Sequence, residues 1–202
     1  MTQTTGNPDD GSRAGEVVAA STTEFATQCH LLYESPPLGA LVKSGGESPI
    51  YGVVAEVSTQ SIDPGRRPVA MGAGESTVEA VYESNPQLTR LLTTEFRSVV
   101  VGHRADGRLN RYLAPLPPRI HDFVYVCSPR ELAEFNGSLE FLSILLAARV
   151  GSPDDVTASF LRLASLAHPE PRPYLVAAGK ELATLLTGQL QRLNGILRRL
   201  ST

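Results

Sequence analysis

The sequence has little of several residue types: it lacks tryptophan and contains only two cysteines among its 202 residues. Two cysteines cannot form the disulfide framework of a small secreted domain. No charged start followed by an apolar run precedes residue 22, so we expect no secretory signal. Apolar runs such as Ile144–Ala148 are far shorter than the roughly 18 residues that cross a bilayer. These absences predict a soluble, cytoplasmic protein with no membrane association.

Neither sign of charge dominates the chain. Lysine and arginine number 18 against 21 aspartates and glutamates, which gives a formal net charge of -3. This balance argues against a nucleic-acid binder that works through bulk positive charge, although a local basic patch could still act. A chain of this length can bury about 70% of its unfolded surface, which is enough for one compact domain, or for one domain with a helical appendage, without disulfides or metals.

Sequence motifs for catalysis are also missing. No G-x-x-x-x-G-K-[ST] loop is present to hold nucleotide phosphates, and no G-x-S-x-G turn presents a serine nucleophile. Cys29 with His30, and His121 with Cys127, lack the ligand spacing of structural zinc sites. Both cysteines lie in apolar runs, where a thiol usually serves as a small core residue. We therefore expect a non-enzymatic protein with no cofactor and no metal.

The residue composition of the chain changes after a polar N-terminal stretch. Residues 1–22 show no helical or strand period and predict a disordered tail. From residue 23, six runs rich in Val, Leu, Tyr, Phe and Thr are separated by Gly and Pro turns, which is typical of antiparallel strands. The predicted strands are Phe25–Tyr33, Leu38–Lys43, Ile50–Ser58, Thr77–Tyr82, Arg97–Gly102 and Phe123–Cys127.

Helical patterns interrupt and then follow these strands. Asn85–Glu95 predicts a short helix, and Ser128 with Glu131 forms a capping-box pattern at the start of a helical region. The last helix is predicted over Pro173–Leu200. The fold class is therefore α+β: a small antiparallel β-barrel over residues 23–127, followed by an all-helical segment over residues 128–202.

A predicted hairpin within residues 97–112 gathers basic and aromatic side chains that could contact phosphate or an acidic partner. A solvated hairpin surface would show the same composition. The candidate contact residues are Arg97, Arg104, Arg108, Arg111 and Tyr112.

The last helix carries leucines that alternate by four and three residues, the spacing of a helix seam. Two heptads are too few to establish a coiled coil, so the seam could pack on its own domain or dock onto another chain. The seam residues are Leu186, Leu190, Leu193, Leu197 and Leu200.

The early strands resemble a known family. The runs Leu38–Lys43 and Ile50–Val57, with Gly39 in the first and Gly52 before two valines in the second, resemble the opening of the HAS-barrel. That barrel is shared by HerA-type DNA-translocating ATPases and rotary ATP synthase subunits. Its closing portion is similar to 99–102 and 117–121, so the resemblance covers roughly residues 24–127. Because a helical segment replaces the usual motor domain, the resemblance implies an assembly or regulatory piece and no catalytic residue.

Two functional hypotheses follow. The first is a non-enzymatic assembly or regulatory module that acts with a separately encoded HerA-type ATPase or nuclease in DNA processing, and that could form a homo-oligomer. The alternative is a nucleic-acid-binding barrel that uses the arginine-rich hairpin. A small-molecule site inside the barrel remains a third option.

Overall fold

The computed structural model describes residues 11–63 and 65–200. Over these residues the strands are β1 (Arg13–Ala20), β2 (Glu24–Cys29), β3 (Leu41–Ser44), β4 (Ile50–Ser61), β5 (Leu92–Ala105), β6 (Arg108–Asn110) and β7 (Phe123–Val126). The helices are α1 (Val78–Ser84), α2 (Leu88–Leu91), α3 (Pro129–Phe135), α4 (Leu142–Ala147), α5 (Pro153–Ser165), α6 (Pro171–Leu185) and α7 (Leu190–Leu200).

Every pairing between the described strands is antiparallel. The strand order is β2-β1-β7-β3-β4-β5-β6, and a further pairing of β2 with β5 gives the sheet a ring-like closure. Five helices, α3 to α7, follow the sheet in the chain. The predicted α+β class, with an antiparallel sheet followed by helices, is confirmed.

The sheet separates two apolar cores. Alternate residues of a strand point to opposite faces, and consecutive valines of β5 show the result: Val100 belongs to one core, while Val99 and Val101 belong to the other. The buried residues of the first core, inside the ring, are strand residues and Ala40, which lies just before β3, and Leu163 of α5 packs against this core. The second core joins the outer face of β3, β4 and β5 to the helices. Strands with apolar residues on both faces therefore bind the ring to the helical segment.

The helical segment begins as the sequence predicts. The Ser128 hydroxyl accepts a hydrogen bond from the backbone of Glu131, and the Glu131 carboxylate accepts one from the backbone of Ser128. These two contacts form the predicted capping box. Glu131 also pairs with Lys43 of β3, with Nζ and Oε1 2.6 Å apart. This ion pair connects the first turn of the helical segment to the ring.

The predicted tail is wrong over part of its length. Residues 13–20 form β1, which pairs with both β2 and β7. Val17 supplies the only large apolar side chain of this strand in the ring core, so its own pattern is too weak to predict a strand. Long-range pairing overrides the polar local composition. Residues 1–10 of the predicted tail lie outside the described residues.

The predicted element types are wrong for the segment between β4 and β5. Thr77–Tyr82, predicted as a strand, caps and begins α1, because the Thr77 hydroxyl accepts a hydrogen bond from the Ala80 backbone. Asn85–Glu95, predicted as a helix, contains only the four-residue α2 before β5 begins at Leu92. The β-branched and aromatic residues of β5 pair along the full length of β4, and this pairing ends the helix.

Candidate functional site

The predicted arginine hairpin exists and is formed by β5 and β6. His103 pairs with Asn110, and Ala105 pairs with Arg108. The two residues between these strands, Asp106 and Gly107, both have positive φ, at 50° and 73°. A two-residue turn with both central residues in the left-handed region matches the twist of the flanking strands, which explains the Asp-Gly sequence here.

Two hairpin arginines are held by helix α3. Arg104 Nη2 lies 2.7 Å from Glu134 Oε1. Arg111 donates from Nε to the Phe135 carbonyl at 2.7 Å and from Nη2 to the Glu134 carbonyl at 2.8 Å. These carbonyls belong to the last turn of α3, where the helix has unpaired acceptors and partial negative charge. Arg104 and Arg111 therefore anchor the hairpin to the helical segment.

The other three predicted contact residues do not form one patch with these anchors. Arg108 and Tyr112 are exposed near the hairpin, and the Tyr112 hydroxyl donates to Asn110 Oδ1 at 3.2 Å. Arg97 is exposed on β5, where it pairs with Glu56 of β4. It lies seven strand residues from Arg104, which corresponds to about 24 Å. Arg108 and Tyr112 therefore remain the exposed candidate contact residues near the hairpin.

We expect Arg111→Ala to lower the free energy of unfolding by about 2 kcal/mol, because two helix-end carbonyls lose charged donors. Arg108→Ala, at the exposed start of β6, is the matched control and should change stability by less than about 0.5 kcal/mol. Urea unfolding followed by circular dichroism measures both. Equal stability of the two variants, together with a steep salt-dependent loss of single-stranded DNA binding in Arg111→Ala, would instead support the phosphate-contact hypothesis.

The leucine seam is divided between two helices. The predicted helix over Pro173–Leu200 is interrupted by Gly188, whose φ of 81° lies in the left-handed region that ends helices. Leu186 is buried at the end of α6, and Leu193 and Leu200 pack against the sheet and helix core. Leu197 lies beside Gly179 of α6. Four of the five seam residues thus contact this chain's own helices, which supports the internal-packing alternative.

Leu190 is the exception, since 68% of it is exposed. It is the first residue of α7, and its neighbour Arg192 holds the helix in place through an ion pair with Asp154 of α5 at 2.7 Å. Arg199 makes a second ion pair with Asp155, also on α5. Helix α7 is therefore fixed to α5 by charge as well as by apolar packing.

The helices leave one side of the ring uncovered. We call the outward side of β1, β2 and β7 the open face. The exposed Phe123 ring lies under the Arg13 guanidinium, 4.8 Å from its carbon to the ring centroid. Beside it, Glu16 accepts from His30 Nε2 at 3.1 Å and contacts His121 Nδ1 at 3.2 Å. The hydrogen bond from His30, followed by that from His121, lowers the pKa of Glu16, so its carboxylate stays charged at neutral pH.

Both cysteines are buried and free. Burial raises the pKa of Cys29 to about 11, and the nearby Glu95 adds to this shift. Burial raises the pKa of Cys127 further above its ordinary value. Both thiols remain protonated at neutral pH and therefore lack the thiolate character of a nucleophile. Within residues 11–63 and 65–200, no group of three or more His, Cys, Asp or Glu side chains is placed to hold a metal ion.

None of the described helices has the length and apolar character needed to cross a bilayer. No protein-family model matches the chain, and a search of curated proteins finds no match.

Proposed function

We propose that this chain is a non-enzymatic assembly module: a small closed barrel with a helical extension that binds a separately encoded HerA-type ATPase or nuclease in DNA processing. The observation that carries the proposal is the asymmetry of the ring. Its β3, β4 and β5 side is buried under helices, whereas the open face has no covering element among the described residues.

The chemistry of the open face supports protein contact. It exposes the aromatic ring of Phe123, 43% accessible, together with Val18. Arg13, His30 and the charged Glu16 surround these apolar groups. An apolar centre with a polar rim that includes arginine is the usual composition of a protein interface. The resemblance of residues 24–127 to the HAS-barrel supports a HerA-type ATPase or nuclease as the partner.

Gly52, one of the glycines on which that resemblance rests, has a packing role that suits a small barrel. A Cβ on Gly52 would lie 2.7 Å from the Phe25 ring and 2.8 Å from Ser98 Cβ. Phe25 is buried inside the ring and fills the space that the missing side chain leaves. Glycine at this position allows one large aromatic ring to close a narrow interior.

The proposal is tested by binding between the tagged chain and the HerA-type ATPases and nucleases encoded in the same genome, measured by co-purification and then by titration. Phe123→Glu should weaken binding to the true partner at least about tenfold, because it places a charge at the centre of the interface. Leu166→Glu is the matched control, since Leu166 is 77% exposed at the end of α5, on the helical segment. The proposal fails if no such ATPase or nuclease binds, or if Phe123→Glu binds like Leu166→Glu.

A further inference from the structure

Strand β4 extends beyond the strand beside it. Strand β3 pairs with β4 only over Ile50–Val53, whereas β5 pairs with β4 as far as Ser61. The chain before β3 lengthens the first contact by one residue, since the Gly39 amide donates to the Val54 carbonyl at 2.8 Å. Beyond that point, Glu56–Ser61 has β5 on one side and no paired strand among the described residues on the other. We call this unpaired side of Glu56–Ser61 the free edge.

Three residues direct their backbone groups into the free edge. The backbone groups of successive strand residues point to alternate sides of the strand. The Val100 amide donates to the Thr23 carbonyl at 2.9 Å, so the even-numbered residues of this part of β5 bond toward β2 and the odd-numbered ones toward β4. The residues of β4 that pair with even-numbered residues, and therefore point away from β5, are Val57, Thr59 and Ser61. Within residues 11–63 and 65–200, their amides and carbonyls have no hydrogen-bond partner.

The free edge lacks the features by which exposed strand edges usually avoid pairing. Such edges commonly contain lysine, proline, several charges or a bulge. Residues 56–61, with the sequence EVSTQS, contain no lysine and no proline, and Glu56 is the one charged residue. The nearby bulge lies between Val54 and Glu56, where the free edge begins. Val57 and Thr59 are β-branched and exposed, which favours pairing with another strand.

The free edge is complementary to a second copy of itself. Two copies of β4 can lie antiparallel with Thr59 opposite Thr59 of the second copy, which places Val57 opposite Ser61. Every outward amide then meets an outward carbonyl, because each outward residue lies opposite another outward residue. In this register Glu56 lies opposite Ile62, so the two carboxylates do not face each other. The pairing therefore satisfies the backbone groups without like-charge repulsion.

The helical segment sets where an added strand must end. The loop between α4 and α5 lies against β4 just before the free edge, since a Cβ on Gly151 would lie 2.1 Å from the Ala55 carbonyl oxygen. In the register centred on Thr59, β4 of the second copy ends at Ser61, opposite Val57. It therefore stops two residues before Ala55, where the loop begins to occupy the side of β4. The length of β4 itself fits the space that the helices leave.

We propose that two copies of this chain pair through their free edges, so that β4 of each copy continues the antiparallel sheet of the other across a two-fold axis at Thr59. Because Val57–Ser61 is uncharged, it offers no complementary side chains to a strongly charged partner strand, whereas a second copy meets no repulsion. The contact is short compared with a standard interface, so the dimer depends on protein concentration. It does not rest on the function proposed above, because the open face belongs to β1, β2 and β7.

Sedimentation equilibrium of the full chain, from micromolar to nearly millimolar concentration, measures the dimer. We expect the mass to rise with concentration from that of one chain toward that of two. A mass that stays at one chain throughout this range overturns the proposal and leaves the free edge to a strand of another protein. A mass that rises past two chains also overturns it, since a two-fold contact closes on itself.

Thr59→Lys and Thr59→Glu test the register. Each variant alone places two like charges directly opposite each other across the axis, which should raise the dissociation constant of the dimer about fivefold or more. An equal mixture of the two variants should restore the dimer, because lysine then lies opposite glutamate. Thr59 is exposed, so both variants should keep the circular dichroism spectrum of the unaltered chain.

Thr187→Lys is the matched control, since Thr187 is also exposed but lies just after α6. It should leave the dissociation constant unchanged. The proposal is overturned if either Thr59 variant dimerises as tightly as the unaltered chain, or if Thr187→Lys weakens the dimer equally. It is also overturned if the mixture of the two folded Thr59 variants does not dimerise more tightly than either variant alone.

Discussion

Gly39→Ala is expected to lower the free energy of unfolding by about 2–5 kcal/mol, through left-handed strain and overpacking together. Gly39 has a φ of 83°, and a Cβ there would lie 2.4 Å from the Phe160 nitrogen and 2.6 Å from the Ser159 carbonyl carbon of α5. These are backbone atoms of a helix, so they cannot move aside as a flexible side chain would. The ring and α5 would have to separate, or the backbone before β3 would have to change shape.

Gly46→Ala is the matched control for this variant. Gly46 lies in the turn after β3, without a positive φ, and no heavy atom of the described residues beyond its chain neighbours lies within 4 Å of the position of a Cβ. Urea unfolding of both variants should show a large fall in midpoint for Gly39→Ala and almost none for Gly46→Ala. Similar midpoints would mean that the ring and α5 can separate at this contact without loss of stability.

Local sequence signals predicted the features that depend on neighbouring residues. The Asp106-Gly107 turn and the capping box at Ser128 both follow from residues within four positions of each other. The change from strands to helices after β7 was visible for the same reason, since the hydrophobic period changes there.

Features that depend on distant pairing could not be read from the sequence. The ring-like closure needs β2 to pair with β5, where Gln28 lies opposite Glu95. Strand β1 has only Val17 as a large residue in the ring core, so its pairing partners, not its own composition, make it a strand. Helix α1 was missed because Val78–Ser84 has the β-branched and aromatic content of a strand, and only the Thr77 cap indicates otherwise.

The candidate sites also combine features that depend on neighbouring residues with features that depend on distant ones. The hairpin arginines were found by composition, but the partners of Arg111 are carbonyls 23 and 24 residues away, at the end of α3.

Ile196→Ala is expected to lower the free energy of unfolding by about 2–5 kcal/mol, the usual cost of removing a large buried aliphatic side chain. Ile196 is fully buried on α7 and belongs to the core that joins the helices to β3, β4 and β5. Because ring and helices share this core, the loss should appear in one cooperative transition instead of in the helical segment alone. Thermal unfolding followed at two wavelengths, one sensitive to helix and one to tyrosine environment, measures whether the transitions coincide.

Leu190→Ala, on the same helix, is the control, and it should change stability by less than about 0.5 kcal/mol because Leu190 is largely exposed. Light scattering on both variants distinguishes the two roles of the leucine seam. If the seam packs inside the chain, both variants keep the mass of the unaltered protein and only Ile196→Ala loses stability. A lower mass for Leu190→Ala with unchanged stability would show that the exposed start of α7 holds two copies together, and internal packing would then not be the whole role of the seam.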